Sequence, residues 1–235
     1  GEVVIHIDKD RLVLQTSGGA RFLDFAWIAA IHIANFRVRM ETIDGDFEIS
    51  QLGYDFDGFY EEFYRVFCDR SQEALFVDGA PLLEAAGEFA YQDILGSRQG
   101  TALLRLFEDC VLILPPNDGG RRIPLCFAEE VTRENYTIKI VLDTGEHYEL
   151  VRLGRRTDSF FDLLTACCQK AKARYTADLA ALDGNQKENA GEIEDRYGNL
   201  TIICGEDRVF PGVFAPAAND PDETEEEQKM PFPFW

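Results

Sequence analysis

Phe47-Glu48-Ile49-Ser50-Gln51-Leu52-Gly53-Tyr54-Asp55-Phe56-Asp57-Gly58-Phe59-Tyr60 returns 101 residues later as Tyr148-Glu149-Leu150-Val151-Arg152-Leu153-Gly154-Arg155-Arg156-Thr157-Asp158-Ser159-Phe160-Phe161. Glu, Leu, Gly, Asp and Phe recur in place, and the ends exchange aromatic for aromatic or aliphatic for aliphatic. Upstream, Phe36-Arg37-Val38-Arg39-Met40 aligns with Tyr136-Thr137-Ile138-Lys139-Ile140, and Gly45 with Gly145, at a shift of 100. Gly18-Gly19 matches Gly119-Gly120, and Asp10 and Leu14 match Asp109 and Ile113. The one-residue drifts fall at turns, so the chain is a tandem duplication.

Each copy has the same physical pattern. Residues 36–42 and 46–51 alternate apolar and polar side chains around Asp44-Gly45, a hairpin signal, and 136–142 and 146–151 repeat it around Asp143-Thr144-Gly145. Earlier strands are expected at 3–7, 11–16 and 20–24, matching 103–107, 111–114 and 122–126. A short strand follows at 28–33 and at 129–132. The period then changes: Phe56, Phe59, Tyr60, Phe63 and Phe67 form one helical stripe, as do Phe160, Phe161, Leu164, Cys168 and Ala171. The second helix is expected to run to Leu182. Each copy is therefore a run of antiparallel strands closed by an amphipathic helix.

That order, with the motif Leu-Gly-x-x-x-Asp-x-Phe at 52–59 and 153–160, resembles the pleckstrin-homology-like (PH-like) superfold. The resemblance implies a mainly β (α+β) chain of two tandem bent β-barrels, each closed by a C-terminal helix. The expected division is 1–72 for the first unit, 73–86 for a connector, 87–182 for the second unit and 183–235 for a C-terminal extension. The second unit reaches seven strands only by counting Gly87–Gln92 as its first. The counterpart in the first unit would lie before Gly1, so that unit is expected to lack its first strand, or to have the gap filled by a segment such as 199–204.

Length and composition agree with a folded chain of one or two domains: 235 residues, 46% hydrophobic and 28% charged. No apolar run approaches the roughly 18 residues of a membrane helix, and no signal-peptide pattern opens the chain, so a cytoplasmic location is expected. The net charge of −20 repels nucleic acid, whose phosphates are held by Lys and Arg clusters. Residues 220–227 carry six of these carboxylates, an acidic run expected to be solvated.

Six cysteines (Cys68, Cys110, Cys126, Cys167, Cys168, Cys204) show no Cys-x-x-Cys spacing, and only His6, His32 and His147 could join them at a metal. Reduced thiols and no cofactor are expected. Asp143-Thr144-Gly145 spells the aspartic-protease tripeptide, and Asp44-Gly45 sits at the same place in the first copy. Both are read as hairpin turns rather than a dyad, because a dyad needs two facing carboxylates sharing a proton. No phosphate-binding, dinucleotide, nucleophile-elbow or zinc-protease motif occurs, so no catalytic residue is assigned.

Two candidate surfaces follow. Arg121, Arg122, Arg152, Arg155 and Arg156 are the basic groupings, a candidate docking patch for an acidic partner. Phe232, Phe234 and Trp235, spaced by proline, form a candidate docking tail. The expected function is a non-enzymatic interaction module that binds a protein or peptide, or its own copy. The alternatives are a lipid surface meeting the Arg-containing second unit, and the acidic tail holding a basic partner.

Overall fold

The computed structural model describes residues 3–197, with side chains to residue 179. The chain divides into compact units Gly1–Thr176 and Ala177–Trp235, and the geometry below belongs to the first. Its first copy contains β1 (Val4–Ile7), β2 (Arg11–Thr16), β3 (Gly19–Asp24), β4 (Ile28–Ala34), β5 (Arg37–Thr42), β6 (Gly45–Ile49) and helix α1 (Phe56–Ala74). The second contains β7 (Leu83–Asp93), β8 (Gly96–Leu106), β9 (Cys110–Leu114), β10 (Arg121–Pro124), β11 (Ala128–Glu134), β12 (Thr137–Leu142), β13 (His147–Val151) and α2 (Thr157–Tyr197).

The two copies agree down to single backbone bonds. Asp8 N–H donates to Arg11 C=O as Phe107 N–H does to Cys110 C=O, and Ile43 donates to Trp27 as Asp143 does to Phe127. A register break interrupts the first strand of each three-stranded meander, between Ile28 and Ala30 and between Ala128 and Glu130. Gln51 and Arg152 hold the left-handed conformation, with φ 64° and 60°, just ahead of their helices. Such angles cost a non-glycine residue free energy, so their recurrence marks a turn required to aim each helix at its sheet.

The sheets differ. The second copy forms one seven-stranded curled sheet in the order β10-β9-β8-β7-β13-β12-β11, with β7 antiparallel to both β8 and β13. The first forms two three-stranded sheets, β1-β2-β3 and β4-β5-β6, with no strand between β1 and β6 among the described residues. Two closed barrels are therefore not what is seen: β10 and β11 end the larger sheet without pairing to one another, and the first copy is divided. What holds is a mainly β architecture of curled sheets, each copy followed by a helix.

Two boundaries need correction. β7 starts at Leu83, not Gly87, so the connector is 75–82 rather than 73–86. The early start is held by Glu84, which pairs with Arg105 on β8. Helix α2 continues to Tyr197, through the polar stretch read as a linker beginning at 183. The strand pair expected at 200–210, Cys204, the acidic run at 220–227 and the aromatic end at Phe232, Phe234 and Trp235 lie outside the described residues.

Each copy has its own core, and α1 belongs to two. Phe56, Phe63 and Phe67 pack with Leu12, Leu23, Ile31, Val38 and Met40 of the first copy. On another face of the helix, Cys68 and Tyr64 pack against Cys110, Leu112 and Leu114 of β9, together with Val77 of the connector. This explains the run Cys-Val-Leu-Ile-Leu at 110–114, buried at every position. Val111 and Ile113 face the second copy's core, while the alternate residues face α1. The matching face of α2 carries Thr165, Gln169 and Ala173, none of them buried.

Polar bonds fix the junction. The Tyr64 hydroxyl donates to Leu114 C=O at 2.6 Å and accepts from Leu103 N–H at 3.3 Å. Arg105, 5% exposed, reaches Asp69 at 2.7 Å, Glu84 at 2.8 Å and the Gln72 amide oxygen at 2.8 Å. Gln72 in turn donates to Val77 and Gly79 C=O, tying the connector to α1. Y64F will leave two partly buried backbone groups without that partner. It is expected to lower unfolding free energy by about 1–3 kcal/mol in urea titration, whereas Y54F, at a fully exposed ring, stays within about 0.5 kcal/mol.

Candidate functional site

The strand β7 shows where the two copies differ among the described residues. In the second copy, β7 turns Ala85 and Phe89 inward against the core and covers Leu104, Leu106, Tyr148, Leu150, Leu153 and Phe160, all buried. The approach is close: a Cβ on Gly87 would stand 2.9 Å from Val151 O, so glycine is needed where β7 passes β13. The first-copy counterparts of five of these residues (Ile5, Ile7, Phe47, Leu52 and Phe59) are each only partly buried. Only Ile49, the counterpart of Leu150, is buried.

An open groove of about 550 Å³ reaches three of these residues, lined by Ile5, His6, Ile7, Tyr54, Asp55, Gly58, Phe59 and Glu62. Apolar side chains and two carboxylates share its lining. β1 bonds only to β2 and β6 only to β5 among the described residues, so each offers an unpaired edge. Unpaired edges next to half-covered apolar side chains are suited to taking up another strand. The segment 199–204, expected as one way to fill this place, lies outside the described residues.

The arginine patch has another character. Arg121 is enclosed by partners: its Nη1 lies 3.0 Å from Asp93, its Nη2 3.0 Å from Glu146, and its Nε donates to the Tyr148 hydroxyl at 3.0 Å. It also sits over the rings of Tyr91 and Tyr148. Arg122 pairs with Asp109 at 3.0 Å and Arg152 with Glu88 at 2.6 Å. Arg121 and Arg122 stand on β10, whereas Arg152, Arg155 and Arg156 follow β13 at the entry to α2. Acidic partners remote in sequence offset most of the charge that sequence reading saw as a patch.

The titratable groups suit packing rather than chemistry. Burial pushes the thiols of Cys68 and Cys110 up to about 12 and that of Cys168 up to about 11, which keeps them protonated and poor nucleophiles. Asp44 and Asp143 lie in the turns β5–β6 and β12–β13. Of the histidines, His32 meets Glu41 at 3.0 Å, and His6 and His147 stand exposed on strands.

These groups set an alkaline limit. Tyr60 is likewise raised by burial, to about 12. A group whose folded pKa is raised binds its proton more tightly in the native state, so its contribution is complete below the unfolded pKa and is lost as pH rises toward the folded one. Unfolded thiols ionise near 9 and tyrosines near 10. Melting temperature is therefore expected to be insensitive to these groups up to pH 9 and to fall between pH 9 and 12. C68A is expected to reduce the slope in a pH series of thermal melts.

No protein family model matches the chain, and no curated protein matches it by sequence. Among solved structures, one concerning a critical structural role for the PH and C1 domains of the Vav1 exchange factor aligns at 14% identity and a TM-score of 0.29, over 49% of this chain and 40% of that one. A second, of Vav1 bound by an allosteric inhibitor, aligns at 14% identity and a TM-score of 0.29, over 53% of this chain and 41% of the other. The chain thus spans about two fifths of those chains, and a likeness this low carries no weight for fold or function.

Proposed function

We propose that this chain is a non-enzymatic interaction module made of two PH-like units, and that it binds protein in the form of an extended peptide. The PH-like reading is supported by the second copy's own topology: a four-stranded and a three-stranded meander joined through β7 and β13, followed by a helix. The observation that carries the binding reading is the contrast between copies. Five apolar positions buried in one are partly uncovered in the other, beside two strand edges unpaired among the described residues.

Several observations weigh against the lipid alternative. Arg121, Arg122 and Arg152 are already paired with carboxylates, and two carboxylates line the first copy's groove. A surface of that sign repels an anionic headgroup. The reading that the acidic run holds a basic partner concerns residues outside those described.

The full chain is expected to select extended peptides, with saturable binding, from a displayed random library. It is expected to sediment no better with phosphatidylserine-containing vesicles than with neutral ones at physiological ionic strength. A library that yields no binder overturns the reading, and vesicle binding in its place establishes the lipid alternative.

A further inference from the structure

We propose that the junction between the copies, beside Tyr60 of α1, binds a proline-rich segment of a partner in the polyproline II conformation. The proposal rests on the peptide-binding reading above for the class of partner, and places it on a surface other than the first copy's groove.

The chain carries its own example of such a contact. β9 ends at Leu114 and continues as Pro115-Pro116. Each proline ring fixes its own φ and biases the residue before it to extended or polyproline II backbone. The segment is held against the first copy by its carbonyls. The Tyr64 hydroxyl donates to Leu114 C=O at 2.6 Å, and Ile31 N–H on β4 donates to Pro116 C=O at 2.7 Å. Pro115 is buried and Pro116 half-buried. A proline pair has no N–H to strand when it packs against apolar side chains.

Tyr60 repeats Tyr64 one helical turn earlier. The two rings stack with centroids 5.7 Å apart and an interplanar angle of 6°. Beside them lies a depression of about 350 Å³, lined by both rings, by Pro116, and by Ala86, Thr101 and Leu103 of β7 and β8. It continues the surface that α1 already covers: Leu103 packs with Tyr64 and Leu114, and Ala86 stands opposite Leu103 in the sheet. The Tyr60 hydroxyl has no hydrogen-bond partner among the described residues.

These features select the occupant. Aromatic faces, a floor of small and aliphatic side chains and a hydroxyl donor are the set that seats Leu114-Pro115-Pro116 on Tyr64. A partner carbonyl next to proline can meet Tyr60 as Leu114 meets Tyr64, with pyrrolidine rings against the tyrosine faces. An α-helix fits less well. With side chains it is about 10–12 Å across, and at that width about 350 Å³ is filled in less than one turn. Arg152 and Glu88, which also line the depression, pair with each other at 2.6 Å, so an uncharged occupant suits it.

The probe is a fluorescein-labelled peptide of four Leu-Pro-Pro repeats, the tripeptide of 114–116. It is titrated into the full chain by anisotropy, beside the same peptide with every proline replaced by serine. Saturable binding of the proline peptide alone is expected, changing less than about twofold between low and high salt. Y60F removes only the hydroxyl and is expected to weaken binding about two- to tenfold. Ala86 is exposed on its strand, so A86Q fills the depression without touching the core. It is expected to weaken binding at least about tenfold and to leave the melting temperature within about 2 °C. Gly58 lines the first copy's groove, and a Cβ there would meet nothing within 4 Å. G58L is therefore expected to leave this binding unchanged.

The inference is overturned if the proline peptide does not bind, if the serine peptide binds equally well, or if A86Q binds as the parent does. Loss of binding in G58L but not in A86Q would place the peptide in the first copy's groove, which overturns this site and supports the reading above. Hydrogen-exchange protection around Thr101 is expected on peptide addition. Protection there that rises with protein concentration alone would assign the surface to a second copy, which also overturns it. If the library selection succeeds while these tests fail, peptide binding stands and only this surface is lost.

Discussion

Everything in the first unit is organised by a helix that has to bury more than one face. α1 could satisfy a single sheet with its Phe56, Phe63 and Phe67 stripe, as an ordinary amphipathic helix does. It also carries Tyr64 and Cys68 on a second face, and those need an apolar surface that the first copy does not possess. The second copy supplies it through the outer side of β9. The helix that closes one copy is thereby the foundation of the next, and the Arg105–Asp69–Glu84–Gln72 network at its edge fixes where the two meet. A buried arginine with each partner in place is best understood as a device for specificity of docking, since its desolvation offsets much of its attraction.

The same constraint separates the fates of two sheets of common origin. β9 is committed on both faces and β7 completes its sheet, so the second copy is finished. The first copy's outer surface on β2 carries Arg11 and Gln15, both exposed, where β9 has buried Cys110 and Leu114. The half-covered groove lies in the first frame, on the side of α1 away from β9's cluster of Tyr64 and Cys68.

The duplication was readable because it rests on residues with few substitutes: the Leu-Gly turn, the acidic residue in the first helical turn and the Phe beneath the helix. Strand positions followed from alternation, whereas the burial of 110–114 on both faces needed α1 packed against β9 to be seen. The start of β7 was not readable, because it depends on a contact between Glu84 and Arg105 that no local pattern encodes. The extent of α2 was not readable either, since Gly184 and the polar residues around it look like a linker on propensity alone. The arginines misled for a related reason. Arg152 meets Glu88 across 64 residues and Arg121 meets Asp93 across 28, so a linear reading sees the cations and misses the anions that neutralise them. The groove had almost no signal, since it is made by residues far apart in sequence, Ile5 and Ile7 on β1 and Phe59 and Glu62 on α1.

The outward face of α2 bears on how such a protein could grow. Where α1 presents Tyr64 and Cys68 to the following sheet, α2 presents Thr165, Gln169 and Ala173. A staircase of such units lengthens only where a step offers an apolar tread, and Thr165 and Gln169 make this face less apolar than that of α1. An apolar face there would be sticky wherever no sheet covered it. A few side chains on one helix face thus decide whether it can do for a following sheet what α1 does for β9.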